Sequence, residues 1–366
     1  MKIVYVVPYG VILPSRAAHS INIMSMCSAL SDHGHKVTLI LPDAIEPNVD
    51  LFTYYGIKNN FSIQFVKRIS NRWFYPFYSL LTLLEIISIK PDLVVGRSAL
   101  SCLFAAWTGY QVIFDSHGPA WSGSKVNRLI YLLLIGSKNL KKMTVNSNAL
   151  RNIYLESGIA PKCPIVVAHN GSFKYSLDDK ISKWPGKSGL QIGYAGHLYK
   201  GRGIELIIGC ALELPQFDFH IVGGSEEDIL YWSKLHNLSN LYFHGFVSPS
   251  EVYKYRNMCD ILLAPYMKSG VLSASGKDDS SKYMNPIKLI EYMASKKAII
   301  ASDLPPIREV LNNSNAVLLN TTDVEEWVQA ILRLESPESR KMLAENAYKE
   351  FGENLTWSAR AGKLVN

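Results

Sequence analysis

One stretch of this chain, Asn285 to Pro305, restricts its fold more than any other. Pro286 suits the first turn of a helix, where its missing N–H costs nothing. Ile287, Ile290 and Met293–Ala294 recur at helical spacing, which predicts an amphipathic helix with one buried side. Ala298–Ala301 predicts a short buried strand, and Ser302-Asp303-Leu304-Pro305 leaves its C-terminal end. In open α/β sheets that edge is where ligands bind. Glu291 sits within the helix body among apolar residues, where a carboxylate is costly unless something pairs with it. The start of the helix, at Pro286, Ile287 and Lys288, presents free N–H groups and partial positive charge to phosphate or sugar oxygens. A lone helical glutamate is more often a salt-bridge partner than a ligand contact, so the surrounding pieces must decide.

At 366 residues the chain exceeds a usual single core, which predicts two domains. With 48% apolar and 19% charged residues it is a folded globular protein, not a disordered one. The net charge of +7 favours an anionic partner, either phosphates or an anionic membrane surface. No motif supports nucleic acid. Cys27, Cys102, Cys163, Cys210 and Cys259 have no paired spacing, which argues against a zinc site or a disulfide framework and fits a reducing, cytoplasmic compartment. Met1–Pro8 is too short and too soon broken for a signal peptide. The longest apolar stretch, Leu80 to Ile89, is interrupted by Glu85 and is too short to span a membrane.

Ile3–Val7 predicts a buried first strand, turning at Pro8-Tyr9-Gly10. A helix over Ala18 to His33 ends at Gly34-His35, and Val37–Leu41 is the second strand. Further strands are expected at Ser62–Val66, Leu93–Val95, Val112–Phe114, Met143–Val145 and Ile165–Ala168, alternating with helices as a parallel sheet requires. Polar residues follow the strand ends: Arg97, then Asp115-Ser116-His117-Gly118, then Asn146, then His169-Asn170. All would lie along one rim. Ser172 to Gly189 breaks the pattern as a linker. Leu190–Tyr194 then opens a second strand–loop–helix unit. Gly196, Gly201 and Gly203 let backbone approach a ligand there, and Lys200 and Arg202 can neutralise a diphosphate. The expected domains are 1–172, a linker 173–189, 190–348, and a C-terminal helix 349–366. Arg72–Tyr78 and Arg128–Lys142 mix apolar and basic residues; core helices explain most of this, and a membrane-surface patch is the alternative.

Several of these pieces carry a family resemblance. Pro286, Lys288, Leu289, Glu291, Tyr292, Met293, Ala294 and Ala301-Ser302-Asp303-Leu304-Pro305 resemble the "PLKLxEYMA…ASDLP" signature of the retaining, nucleotide-sugar-dependent glycosyltransferases of family 4. Leu30 with Gly34-His35-Lys36-Val37, the "DxHG" at Asp115, Gly223-Gly224 after Phe219–Val222, Asp260–Pro265, and the tail around Trp357 and Arg360 keep the family's order. The resemblance implies the GT-B fold: two Rossmann-like α/β domains facing across a cleft, with the last helix returning to the first domain. It places His117 against the donor sugar and Glu291 on the ribose hydroxyls. The turn ending at Val247 would cradle the base. The loop Gly196–Gly203 resembles "GRLxxxKG", with His197 in place of arginine and Arg202 in place of lysine; Lys200 can compensate. Tyr283 stands where many members have a second glutamate. The first-loop Gly-Gly pair falls on Ala17-Ala18, leaving Gly10 to serve part of that purpose. Ala17, Arg97 and Asn146 are assigned to the acceptor side.

The resemblance implies transfer of a sugar from a nucleoside-diphosphate sugar to a hydroxyl of a glycan or polyprenyl-linked acceptor, with retention. It fits bacterial surface polysaccharide synthesis at the cytoplasmic face of a membrane. Arg202, Lys200 and the helix start at Pro286 would stabilise charge on the leaving diphosphate. No Asp-x-Asp motif lies at a strand end, so no cofactor and no essential metal is expected. Two alternatives stay open: a catalytically silent nucleotide-binding scaffold subunit, and a sugar-nucleotide epimerase or hydrolase.

Overall fold

The computed structural model describes residues 1–43, 49–67, 74–181, 184–186, 189–199, 201–235, 237–268, 280–320 and 322–366. It forms two compact units, Met1–His169 with Trp357–Asn366, and Asn170–Thr356.

The first unit runs β1 (Lys2–Val6), α1 (Ala18–Asp32), β2 (Lys36–Pro42), α2 (Leu51–Tyr55), β3 (Ser62–Val66), α3 (Phe74–Ile89), β4 (Leu93–Gly96), α4 (Ala99–Trp107), β5 (Val112–Ser116), α5 (Lys125–Ile135), β6 (Leu140–Val145), α6 (Asn148–Glu156) and β7 (Ile165–Val167). The strands pair in parallel in the order β3-β2-β1-β4-β5-β6-β7. Each return crossover is a helix, as parallel pairing demands. A serine starts three of these helices: Ser98, Ser124 and Ser147 each accept a hydrogen bond from the N–H three residues on. Strand order reverses between β1 and β4, which opens a crevice beyond their C-terminal ends. Gly96 ends β4 because a Cβ there would lie 2.4 Å from Val6 Cγ2.

The second unit runs β8 (Gln191–Ala195), α7 (Ile204–Glu213), β9 (Asp218–Val222), α8 (Glu226–Leu235), β10 (Leu241–Gly245), α9 (Val252–Met258), β11 (Ile261–Ala264), α10 (Ile287–Ala294), β12 (Ala298–Ser302), β13 (Val317–Leu319), α11 (Val324–Arg333) and α12 (Pro337–Asn354). Its parallel order is β10-β9-β8-β11-β12-β13, and it reverses between β8 and β11. Alternate strand residues feed two separate cores. Ile261, Leu263, Ala298 and Ile300 pack with α7 and α11, while Leu262, Ala264, Ile299 and Ala301 pack with α10 and α12. Strands buried on both faces carry no polar alternation, which is why they read as continuous apolar runs.

Two expectations shift. Pro286 is the N-cap of α10, with φ −69° and ψ 118°, and the helix begins at Ile287. The expected break at 348/349 falls inside α12, which runs on unbroken to Asn354; the chain changes units after Thr356. The final helix, α13 (Trp357–Val365), packs against α1 in the first unit, with Trp357 buried.

Candidate functional site

In the first unit the reversal point gathers a buried polar cluster. Asp115, near the end of β5, has both oxygens fully engaged. Arg360 Nη2 donates to both, at 2.8 and 3.0 Å; Thr144 Oγ1 donates to Oδ1 at 2.7 Å; Tyr5 Oη donates to Oδ2 at 3.2 Å. His117 Nε2 lies 3.1 Å from Oδ2. Burial alone would raise the Asp115 pKa, but Arg360, then His117 and Arg97, overcome it and hold the carboxyl well below its usual range. Asp115 therefore stays ionised and anchors its neighbours.

His117 uses both ring nitrogens. With Nε2–H donated to Asp115, Nδ1 accepts from Asn146 Nδ2 across a long 3.4 Å. Burial, with Arg97 adding to it, lowers the His117 pKa to about 4, so the ring is neutral at pH 7. A neutral ring whose weaker bond is the one to Asn146 can exchange that amide for a ligand hydroxyl. Arg97 follows β4 directly, with its N–H bound to Val6 O at 2.9 Å. Arg97, His117, His19 and Tyr75 line a cavity of about 520 Å³ with Pro8 and Asp115. Ala17 is the N-cap of α1 at φ −75°, ordinary extended backbone that alanine adopts without strain. Gly10 is exposed, and nothing lies within 4 Å of where its Cβ would stand.

In the second unit the reversal point gathers cations against aromatic rings. Lys288, in the first turn of α10, places Nζ 3.7 Å from the centre of the Tyr194 ring and 5.4 Å from that of Tyr266. Arg202 stands over the other reach of Tyr266 at 5.2 Å. Burial, then Arg202, pulls the Lys288 pKa well down, and Glu291 only partly offsets them. No carboxylate among the described residues lies within ion-pair distance of Nζ. Gly196 makes room for it: a Cβ there would sit 2.6 Å from Nζ, on backbone at φ +154°. Gly203, the N-cap of α7 at φ +69°, has Pro265 O where a Cβ would go. His197 stacks on Tyr199 at 4.6 Å, and its carbonyl accepts from Tyr194 Oη at 2.6 Å.

Glu291 has the partner its position called for. Arg256 of α9, only 2% exposed, reaches its Oε2 at 3.4 Å and donates through Nε to Ser295 Oγ at 3.1 Å. The Glu291 side chain stays 19% exposed, so it is not sealed off by Arg256. Val247 packs at the edge of the α10 side of the core, and Tyr283 closes a turn with its N–H on Ser280 O at 3.1 Å. Asn285 receives Asn170 N at 2.7 Å, which fixes the approach to Pro286 and Ile287. Lys200 lies outside the described residues, as does the loop segment 269–279.

The fold thus brings Arg97, Asn146 and His117 together in one unit, and Gly196, Arg202, Lys288 and Glu291 together in the other. Sequence reasoning missed Arg360 and Arg256. Arg360 stood within the closing motif, three residues after the tryptophan that was singled out instead. Arg256 lay in a short polar helix with no signal of burial.

Two doubly wound parallel sheets in one chain, each with its polar residues at the strand-order reversal, are the GT-B arrangement. Residues 21–172 match the model described as Glycosyltransferase Family 4, and residues 178–350 match that of Glycosyl transferases group 1. The two halves of the chain are thus each similar to one glycosyltransferase domain model, and the fold is GT-B. It is 28% identical over 335 residues to an uncharacterised glycosyltransferase, MJ1069, of Methanocaldococcus jannaschii, covering 85% of this chain and 80% of that one. Over 122 residues it is 28% identical to the teichuronic acid biosynthesis glycosyltransferase TuaH (a putative assignment) of Bacillus subtilis, 33% of this chain and 28% of that one. Among solved structures, HepE of Anabaena in complex with UDP and glucose shares the fold, with a TM-score of 0.70 at 14% identity over 100% of this chain and 98% of that one.

Proposed function

We propose that this protein transfers a sugar from a nucleoside-diphosphate sugar to an acceptor hydroxyl with retained configuration, the second unit binding the donor. The observation that carries this reading is the pairing of Lys288 with Arg202 at the reversal point of a parallel sheet, beside the start of α10. A buried ammonium with depressed pKa and no carboxylate within ion-pair distance among the described residues gains most from a doubly charged anion. Glu291, held by Arg256 but not sealed off by it, accepts from ribose hydroxyls. The HepE complex, solved with UDP and glucose, supports a donor of this class.

In the reaction the bond between the anomeric carbon and the diphosphate oxygen breaks, and charge grows on the diphosphate. Lys288, Arg202 and the N–H groups opening α10 face that charge. The acceptor oxygen attacks the same face, and its proton passes to the departing diphosphate oxygen. His117, neutral and fixed by Asp115, orients a hydroxyl and holds no proton for transfer. The reading requires no metal, because two side-chain cations already offset the leaving group.

A surface polysaccharide acceptor is supported by the TuaH likeness. Membrane contact is supported by the first unit. Helices α3, α4 and α5 pack side by side, and Leu80, Leu84, Ile87, Trp107, Leu129 and Leu133 remain exposed on them. From residue 93 to 155 the chain holds a single acid, the buried Asp115, against exposed Lys125, Arg128, Lys138 and Lys141. An apolar stripe with a basic rim fits an anionic bilayer.

The test is calorimetric titration of UDP, GDP, ADP and CMP, followed by transfer from the sugar conjugate of the one that binds. One diphosphate should bind well above the rest, about ten-fold more weakly to Lys288→Met and to Glu291→Gln. Glu291→Gln is chosen because alanine would strand the buried Arg256. Turnover should survive EDTA, and product NMR should show the donor's anomeric configuration. Equal binding by wild type and both variants would defeat the donor site. Binding without turnover in membrane extract would favour the scaffold reading.

A further inference from the structure

We infer that the cavity of the first unit accepts an anionic acceptor group, a phosphate or a carboxylate, held by Arg97. This rests on the reading that the first unit binds the acceptor, and it names the chemistry that acceptor carries.

Arg97 has a fixed place at the reversal between β1 and β4, and it lines the cavity of about 520 Å³ with His19 and His117. Among the described residues its side-chain bonds are weak ones from Nη1, to His19 O at 3.5 Å and Asn22 Oδ1 at 3.4 Å. No carboxylate among the described residues lies within ion-pair distance of it. The one nearby anion, Asp115, is already committed to Arg360, Thr144, Tyr5 and His117. Two guanidinium groups therefore share one carboxylate, and Arg360 holds it.

Two imidazoles lie beside Arg97 in the same cavity. Burial, then Arg97, lowers His19 to about 4, and the same two causes lead at His117. An anion docked on Arg97 would satisfy the free face of the guanidinium and ease the protonation of both rings. Arginine offers a planar fork that suits phosphate or carboxylate oxygens. A neutral glycan hydroxyl would leave the charge uncompensated.

The experiment follows the ring carbon-bound proton signals of His19 and His117, assigned by His→Gln variants. It is done in Lys288→Met protein, so that the other anion site is weakened. The probes are inorganic phosphate, glucose 6-phosphate, glucuronate and glucose, with a polyprenyl phosphate in micelles as a further arm. Phosphate and at least one sugar acid should raise both histidine pKa values by about one unit, and glucose should not. Tighter binding of the polyprenyl phosphate than of glucose 6-phosphate or glucuronate would assign the anion to a lipid carrier, and the reverse to a sugar phosphate or a sugar acid, whichever binds. Arg97→Gln should weaken the effect about ten-fold, with partial recovery in Arg97→Lys. Unmoved histidines at saturating phosphate would overturn the inference, as would equal binding of glucose and glucose 6-phosphate, or full binding by Arg97→Gln. Diphosphate titration of Arg97→Gln separates the two readings. If that variant in a wild-type Lys288 background still binds the nucleotide, only the acceptor inference has failed.

Discussion

Asp115 and Arg360 are 245 positions apart in the chain and form the most deeply buried ion pair among the described residues, at 2.8 Å with both side chains essentially inaccessible. Such a pair contributes little over a well-packed apolar substitute, but breaking it strands a buried charge. Arg360→Ala should therefore cost about 3–5 kcal/mol in urea denaturation at pH 7. The pH dependence has a defined sign. In the wild type the folded Asp115 pKa lies below the unfolded one, so its contribution is complete above about pH 4 and is lost as pH falls toward the folded value. In Arg360→Ala, burial without the guanidinium raises that pKa, and protonation relieves the variant. The gap between the two proteins should narrow as pH falls, first through the variant's raised Asp115 pKa and then below about pH 4 as the wild type loses its contribution. A gap that stays constant across that range would show that Arg360 acts through packing, not charge. Glu291 and Arg256 differ, because the glutamate stays partly exposed and can serve a ligand as well as its partner.

At the level of elements, α10 shows how a helix start becomes a site. Its N-cap is a proline with no side-chain bond to offer, so the first N–H groups are left to a ligand. Lys288 projects from the first turn into space that only a glycine at 196 leaves open. Gly196→Ala would put a methyl group 2.6 Å from Nζ, the flexible end of a side chain. The lysine can swing away, so the fold should lose only about 1–2 kcal/mol, mostly from backbone strain at positive φ. Nucleoside-diphosphate affinity should nonetheless fall about ten-fold. Calorimetric titration beside a melting curve separates the two effects, and unchanged affinity would remove Lys288 from the phosphate site. The final helix shows the opposite dependence. α13 carries Arg360 into a unit whose other elements end at His169, so the order of that polar cluster depends on the last ten residues of the chain.

For the whole molecule, the two units repeat one design: a parallel sheet, a reversal of strand order, and cations at the reversal. They differ on the outside, where α3, α4 and α5 of the first unit leave an apolar stripe uncovered. Co-sedimentation should show binding to vesicles of mixed phosphatidylcholine and phosphatidylglycerol and little to phosphatidylcholine alone, with about 1 kcal/mol per basic residue near the surface. Replacing Leu129 and Leu133 by serine should release the protein. Equal recovery with neutral vesicles, or a dimer in light scattering that the same replacements dissolve, would assign the face to another partner. Most of the strands and the helix start at α10 were legible in the sequence alone, because strands buried on both faces and helices with one buried side leave periodic apolar marks. The motifs also placed Arg97 and His117 at strand ends, Arg202 and Lys288 near helix starts, and Glu291 in the body of a helix. Only the tertiary structure decided their partners. Whether Glu291 meets Arg256, or Asp115 meets Arg360, depends on contacts between residues 35 and 245 positions apart. Local periodicity carries no record of such contacts. They arise when a sheet reverses its order and a distant helix closes over it.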